Sequence, residues 1–454
     1  MSREKKPADH EARKQLLSRI APLQATYRGS SVSPGKSSAL QSSRLDFETL
    51  PGFEELRLER AVGKKIGFGT PYFRVHEGRP GARTRIAGRE VIDFSSYDYL
   101  GLNGDPRVTA CAHDAIDRYG ISATGSRHVS GERSIHQELE RELALHYGCE
   151  DCVLLVSGYA TNLGVIGQLV GAKDLLVCDA IIHNSATAGG VLSGAARRSF
   201  AHNDFDDLER LLAANHDKFK RALVVVEGLY GMDGDIPDLK RLIEIKTRYS
   251  AWLMVDEAHA LGVIGARGYG SFEHCGVDPR GVDIWMGTLS KTLAGCGGFI
   301  AGSAVLVDYI KSLVGVFVYS VGMPPVIAAT GKMALEILRN EPDRVARLQQ
   351  NAAFFHAKAK AKGLKVPSGA IGSAVSPILI GDSISAVVLS HRLLERGVNV
   401  LPVLYPAVPA NAARLRFFLT AMHSESDIET ALNLTAEELA KIPDTMRALH
   451  IPGY

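Results

Sequence analysis

The chain has 454 residues, a formal net charge of +2, and 46% apolar against 22% charged residues. That balance suits an ordinary folded protein with ample core and two or three domains; it lacks the global basic field that nucleic acid or an anionic membrane would require. No apolar run is long enough to span a bilayer, and Met1 to Lys6 carry charge with no apolar segment behind them, so no membrane span or secretory signal is expected and the cytoplasm is the default.

Residues 1–45 read as a polar leader. Leu16, Leu17, Ile20 and Leu23 are spaced for one short amphipathic helix, and Ser30 to Ser43 reads as flexible linker. Lys5, Lys6, Arg13, Lys14 and Arg19 give the leader a basic bias that suits docking to an acidic carrier, or it is a plain tail. Residues 46–94 form a strand-rich segment, with strands expected at Tyr72–Val75 and Glu90–Phe94. From 95 to 330 helix and strand alternate. Ser134 to Tyr147 is expected as a helix: Ser134 and Gln137 make a capping box, Ile135, Leu139 and Leu143 share a face, and Gly148 ends it. Strands are expected at Cys152–Val156, Leu175–Cys178, Ala222–Glu227, Trp252–Val255, Asp283–Met286 and Gly298–Ala301. Most are short continuous apolar runs, the signature of a parallel sheet covered on both faces.

Residues 331–454 change texture. A helix near Ala334–Arg339, strands near Val375–Ile380, Val398–Val403 and Leu415–Leu419, and a closing helix from Glu425 describe a smaller α+β domain. The expected class is α/β, a large, mostly parallel-sheet domain with this smaller domain at its C-terminal side. Six scattered cysteines suit reduced thiols. Cys149 and Cys152 have redox or metal spacing, but no second pair follows them and Cys152 is expected in the core, so no metal site is expected.

The chemistry concentrates on two motifs. Asp256, in Asp256-Glu257-Ala258-His259, follows the apolar run from Trp252 to Val255 and so ends a strand, where α/β sheets bind ligands. Its carboxylate can hold a protonated pyridine nitrogen. Lys291, flanked by small and hydroxyl residues, can form a Schiff base with an aldehyde, and Thr288 can offer its hydroxyl to a phosphate. Gly158 and Tyr159, at a strand-to-helix turn, suit the same phosphate through exposed amides and the helix N-terminus, although Tyr159 also reads as core. His183 can stack on a pyridine ring and bond a substrate carbonyl, or serve structure alone. His259, three residues beyond Asp256, can reach the same ring. The Gly-rich stretch Glu227 to Asp235 reads equally as a tight turn or a ligand contact. Arg414 and Arg416 alternate on one strand face, where a guanidinium can clamp a carboxylate.

In order, Ser-Tyr-Asp-Tyr-Leu-Gly-Leu (96–102), Thr-Gly-Ser-Arg-His-Val-Ser-Gly (124–131), Ser-Gly-Tyr (157–159), His183, Asp-Glu-Ala-His (256–259), Gly-Thr-Leu-Ser-Lys (287–291) and Arg-Leu-Arg with Thr-Ala-Met-His (414–423) resemble the α-oxoamine synthases over roughly residues 70 to 440. The resemblance implies a fold-type I pyridoxal 5′-phosphate (PLP) transferase that works as a homodimer with shared sites. It implies Lys291 as the Schiff-base lysine, Asp256 as the pyridinium partner, His183 as the stacking residue and His259 on the 3′-oxygen. Gly158, Tyr159 and Thr288 would take the phosphate, with Ser320 reaching the neighbouring subunit's phosphate, and Arg416 would take the substrate carboxylate. The implied reaction is a decarboxylative Claisen-type condensation of glycine, alanine or serine with an acyl thioester of coenzyme A or acyl carrier protein. Aminotransferase or lyase chemistry on the same fold, or a silent partner subunit, are the alternatives. Three positions depart from the family pattern. Gly231 replaces a frequent Ser, Asp98 replaces a frequent Asn before Tyr-Leu-Gly and so stands with Arg416 as a substrate-binding candidate, and Tyr319 to Pro325 is poorer in hydroxyls.

Overall fold

A computed structural model of the protein describes residues 46–65 and 69–443; the leader expected over residues 1–45 lies outside the described residues. Seven strands form the central sheet in the order Asp151–Leu155, Gly298–Gly302, Ile284–Thr288, Trp252–Asp256, Ala222–Glu227, Leu175–Asp179 and Ala196–Phe200. All run parallel except Gly298–Gly302, which is antiparallel to both of its neighbours. Its direction follows from chain length. Only residues 289–297 link it to Ile284–Thr288, too few for the crossover that parallel strands need. That short link carries Lys291.

The unbroken apolar runs are explained by alternation. Leu154, Val224, Val226, Leu253, Val255, Trp285 and Phe299 pack into the core on one face of the sheet. Val153, Leu155, Leu223, Val225, Met254, Ile284 and Met286 pack into a second core on the other. The edge strand Ala196–Phe200 has no such run and was not expected. Arg197 and Arg198 are exposed on it, as suits a sheet edge protected by charge.

A three-stranded sheet, Val375–Gly381, Ala413–Phe418 and Leu401–Val403, carries both Arg414 and Arg416. A four-stranded sheet joins His76–Glu77, Arg83–Ile86 and Arg89–Asp93 to Val398–Asn399, which pairs parallel with Ile92 and Asp93. The single strand expected at Val398–Val403 is therefore two short strands in different sheets. Tyr72–Val75 is not a strand. Phe73 has φ 59°, a left-handed backbone that breaks a ladder, and Arg74 pins the segment through Asn399 Oδ1 at 2.6 Å. The helix Ser134–His146 ends at Gly148 (φ 60°) as expected, but its start differs. Arg133 is the N-cap and donates its N–H to His136 Nδ1, while the Ser134 hydroxyl bonds Tyr119. Two long helices, Pro325–Asn340 and Pro342–Ala361, each start on a proline, whose missing N–H costs nothing in a first turn. Among the described residues no helix is long and apolar enough to cross a membrane.

Candidate active site

Parallel strands deliver their last residues to one edge of the sheet. Glu227 and Asp256 end adjacent strands in register, and His183 follows Leu175–Asp179 as the N-cap of the helix Asn184–Ser193. Asp256 is buried; its Oδ1 accepts from Ala258 N–H at 2.9 Å and its Oδ2 from the Asn162 side-chain amide at 2.8 Å. Cys152 is buried in its strand, its thiol pushed up by desolvation, as suits a core position.

Lys291 sits beside this edge, its amine 5.7 Å from the centre of the Tyr97 ring. Burial draws that amine down to about 8, opposed by the carboxyls of Asp256 and Glu227 and reinforced by Arg416. His183 is lowered from its usual range by burial, with Asp256 opposing and Lys291 and Arg416 adding to the effect. His259 is pushed far down by burial and by Lys291, Arg416 and His183. Lys291, Asp256, His183, His259 and Arg416 thus lie within electrostatic reach of one another. Nδ1 of His259 bonds the Tyr99 hydroxyl at 2.7 Å.

A second cluster lies where Asp151–Leu155 meets the helix Gly158–Leu169. Ser157 caps that helix, its oxygen accepting from Ala160 N–H, and the first amides of an α-helix have no partner within it. Thr288 Oγ1 donates to the Gly297 carbonyl at 2.7 Å and lies 3.0 Å from Ser290 Oγ. A Cβ at Gly158 would come within 2.9 Å of Thr288 Oγ1, so only glycine lets this turn approach. Two hydroxyls, free helix amides and a side-chain-free turn form a cradle with the chemistry of a phosphate site. Tyr159, 47% exposed, bonds Asn184 Oδ1 at 3.1 Å and faces His183 edge-on at 6.3 Å, so it lines the rim and not the core. With Asp256, Lys291 and His183 alongside, these residues fit PLP.

The loop after Glu227 is tied to His183 and Arg416 by hydrogen bonds. Glu227 Oε1 accepts from His183 N–H at 2.8 Å and Oε2 from Gly231 N–H at 3.0 Å. The Gly231 carbonyl in turn accepts from Arg416 Nη1 at 2.8 Å. Arg416 stacks over Phe418 at 4.7 Å, and its Nε is buried with no hydrogen-bond partner among the described residues. Arg414 shares its face but is committed to Asp233 and to the Met232 carbonyl. A Cβ at Gly231 would lie 2.6 Å from His259 Nε2, so a Ser there would displace the imidazole.

Two candidates, Asp98 and Ser320, lie apart from the lysine group of their own subunit. The Asp98 carboxylate turns back to accept from Leu102 N–H at 2.8 Å and from Asn103 N–H, closing its own turn, and the cation acting on it is Arg344. Its neighbours Tyr97 and Tyr99 reach the lysine and His259 instead. Ser320 is half-buried in a loop tied to Gly125 through Gly322 N–H, and among the described residues no bond joins it to the lysine group. Sequence reasoning missed Asn162, Ser185, Tyr97 and Tyr99, for which only position on the motifs' helices and turns gave a signal.

A family model described as "Aminotransferase class I and II" matches residues 89–434. The 8-amino-7-oxononanoate synthase of Symbiobacterium thermophilum is 37% identical over 350 residues, covering 77% of this chain and 88% of that one. The serine palmitoyltransferase of Sphingomonas wittichii superposes with a TM-score of 0.81 at 32% identity, over 90% of this chain and 100% of that one. A serine palmitoyltransferase from S. paucimobilis, solved with bound PLP and myriocin, gives a TM-score of 0.82 at 28% identity, over 89% and 100% of the two chains. On the ordered motifs, the fold and these matches together, the chain belongs to the aminotransferase class I and II family and, within it, to the α-oxoamine synthases.

Proposed function

We propose that this enzyme uses PLP to condense a small amino acid with an acyl thioester, releasing carbon dioxide and a free thiol and leaving an α-amino ketone. The observation that carries the reading is the convergence of Lys291, Asp256, His183 and Arg416 beside the Gly158–Thr288 cradle. PLP supplies, when bound, an electrophilic aldehyde and a ring that withdraws charge from the amino acid's Cα. Asp256 would hold the ring nitrogen, His183 would cover the ring face, and His259, whose Nδ1 is bonded by the Tyr99 hydroxyl, would serve the 3′-oxygen. Gly158, Tyr159 and Thr288 bind the phosphate.

Arg416 orients the substrate carboxylate through its unpartnered Nε. Lys291, with its amine near 8, holds the neutral form in a usable fraction and moves the proton at the amino acid's Cα. His183 donates to the thioester carbonyl as charge develops on its oxygen. Glycine, alanine and serine are the candidate amino acids, and coenzyme A and acyl carrier protein the candidate carriers.

We propose further that the protein acts in the cytoplasm as a homodimer. Tyr319 (88%), Val129 (82%), Ile121 (75%) and Val321 (49%) are exposed apolar groups on segments tied together by the bond from Gly322 N–H to Gly125 O. Ser320 stands among them, where it would face a second subunit's phosphate. The test is a panel of the three amino acids against acyl-coenzyme A and acyl-carrier thioesters, read as thiol release. Amino-group transfer to a keto acid with no thiol released would replace the condensation with aminotransferase chemistry.

A further inference from the structure

Asn162, on the helix Gly158–Leu169, is 2% exposed and uses both hydrogens of its amide. One goes to Asp256 Oδ2 at 2.8 Å, the other to Ser185 Oγ at 3.0 Å. A carboxylate only accepts, so the nitrogen end must face Asp256; the opposite orientation would aim the amide oxygen at negative charge. Ser185 is fully buried, and its oxygen already accepts from Asn162. It lies 2.7 Å from His183 Nδ1, and among the described residues its hydroxyl hydrogen has no other acceptor, so that hydrogen goes to Nδ1. The Ser185 backbone N–H reaches the same Nδ1 at 3.3 Å. Two donors converge on one ring nitrogen, which must present its lone pair to them. His183 also caps a helix N-terminus, whose partial positive charge disfavours an imidazolium. Asp256, Lys291, Arg416, Tyr159, Glu227 and His259 are the charged or titratable groups around it.

We propose that Asn162 and Ser185 are positioning residues that fix His183 as the Nε2–H tautomer, leaving the imidazole a single donor for substrate, from the same amide that steadies Asp256. The two helices carrying them thus act as one crossbar beneath the site. A substrate carbonyl meets a ring whose proton sits on Nε2 before any ligand arrives. This donor role rests on the condensation reading; the tautomer does not, being a property of the apoprotein.

The experiment is 15N NMR of the full chain labelled at histidine, without cofactor, with the His183 signals assigned by their loss in His183→Asn. An unprotonated Nδ1 and a protonated Nε2 in the wild type are expected. Ser185→Ala and Asn162→Ala should each move Nδ1 toward the protonated form or an average of the two. In Ser185→Ala, kcat should fall about five- to tenfold, the weight of one hydrogen bond, while PLP affinity changes less than about threefold. Ser185→Thr, which keeps the hydroxyl, should restore both readouts. A wild-type Nδ1 that carries the proton overturns the proposal even if no variant folds, and so does a tautomer that ignores both alanine substitutions. Absence of thiol release from a wild type with the expected tautomer counts against the condensation and not against the crossbar.

Discussion

Glu227 and Asp256 stand side by side at the end of adjacent parallel strands, and the protein treats the two carboxyls differently. Each oxygen of both carboxyls accepts from a donor, but Asp256 takes one of its two from the Asn162 side-chain amide while Glu227 takes both from backbone N–H groups. Glu227 is pushed up to about 8 by burial first and by Asp256 second, so it carries its proton at neutral pH. For a carboxyl raised in the folded state, the stabilising contribution is whole below the unfolded value near 4.5 and is lost as pH rises through about 8. Glu227→Gln sets an amide N–H against one of the two backbone N–H groups and should cost roughly 1–3 kcal/mol at acid pH. Because the variant does not titrate there, its deficit should shrink as pH rises. Thermal melts across that window check this, and a deficit independent of pH refutes the assignment.

Lys291 is also displaced from its usual range, to about 8. Only the neutral amine attacks an aldehyde, so the apoprotein should capture PLP about tenfold faster per pH unit on the acid side of that value, then level off. Stopped-flow absorbance measures it. A rate that keeps climbing toward the free-lysine value of about 10.4 would mean that the amine is not perturbed. Lys291→Ala should lose the linked-cofactor absorbance and, on the order of a hundredfold or more, the condensation.

Arg414 and Arg416 share a strand face but should fail differently. Arg416→Ala removes the donor aimed at the amino acid, and its apparent affinity should fall on the order of tenfold to a hundredfold with thioester affinity little changed. Arg414→Ala strands Asp233 and should lower the melting temperature, with roughly 1–3 kcal/mol lost and a smaller effect on either substrate. Steady-state kinetics and melts on both variants separate the roles; equal losses for both substrates in Arg416→Ala would sink the carboxylate assignment.

His202 ties the end of the strand Leu175–Asp179 to the loop after Glu227, with Nδ1 2.9 Å from Asp179 Oδ1 and Nε2 2.7 Å from Asp235 Oδ2. Burial opposes its charge, but the two carboxylates outweigh burial and raise it to about 10. Its contribution is therefore whole below about 6.5 and lost as pH rises through about 10. His202→Gln should cost roughly 1–2 kcal/mol near neutrality, after screening of the part-exposed ring, and flatten the alkaline decline. Parallel melting curves for the two proteins would show that the bridge is not charged.

Much of this site was legible because its parts are local. Asp256 and Lys291 lie beside apolar strands, and strand ends converge by topology, so reading the strands placed the residues. Asn162, Ser185 and the Asp179–His202–Asp235 bridge escaped because each is defined by partners distant in sequence, such as the 94 residues between Asn162 and Asp256. The turn that Asp98 closes was not legible for a related reason. A carboxylate inside a turn satisfies its neighbours' amides before it can serve a ligand. The helix Pro342–Ala361 runs on directly from Pro325–Asn340 and Ser383–Glu395 lies between two strands; neither carries a chemical motif or a strong break to mark it in the sequence.

The parallel pairing of Ile92 with Val398 sets a timetable for the protein's birth. Until about residue 400 has left the ribosome, Arg89–Asp93 has an open edge, and the strand bearing Arg416 comes later still. At about 5–20 residues per second, that leaves the edge unpartnered for roughly 15–60 s. The nascent chain should therefore depend on holding chaperones through this interval, and slow codons between residues 100 and 398 should lower soluble yield more than the same codons placed after 420.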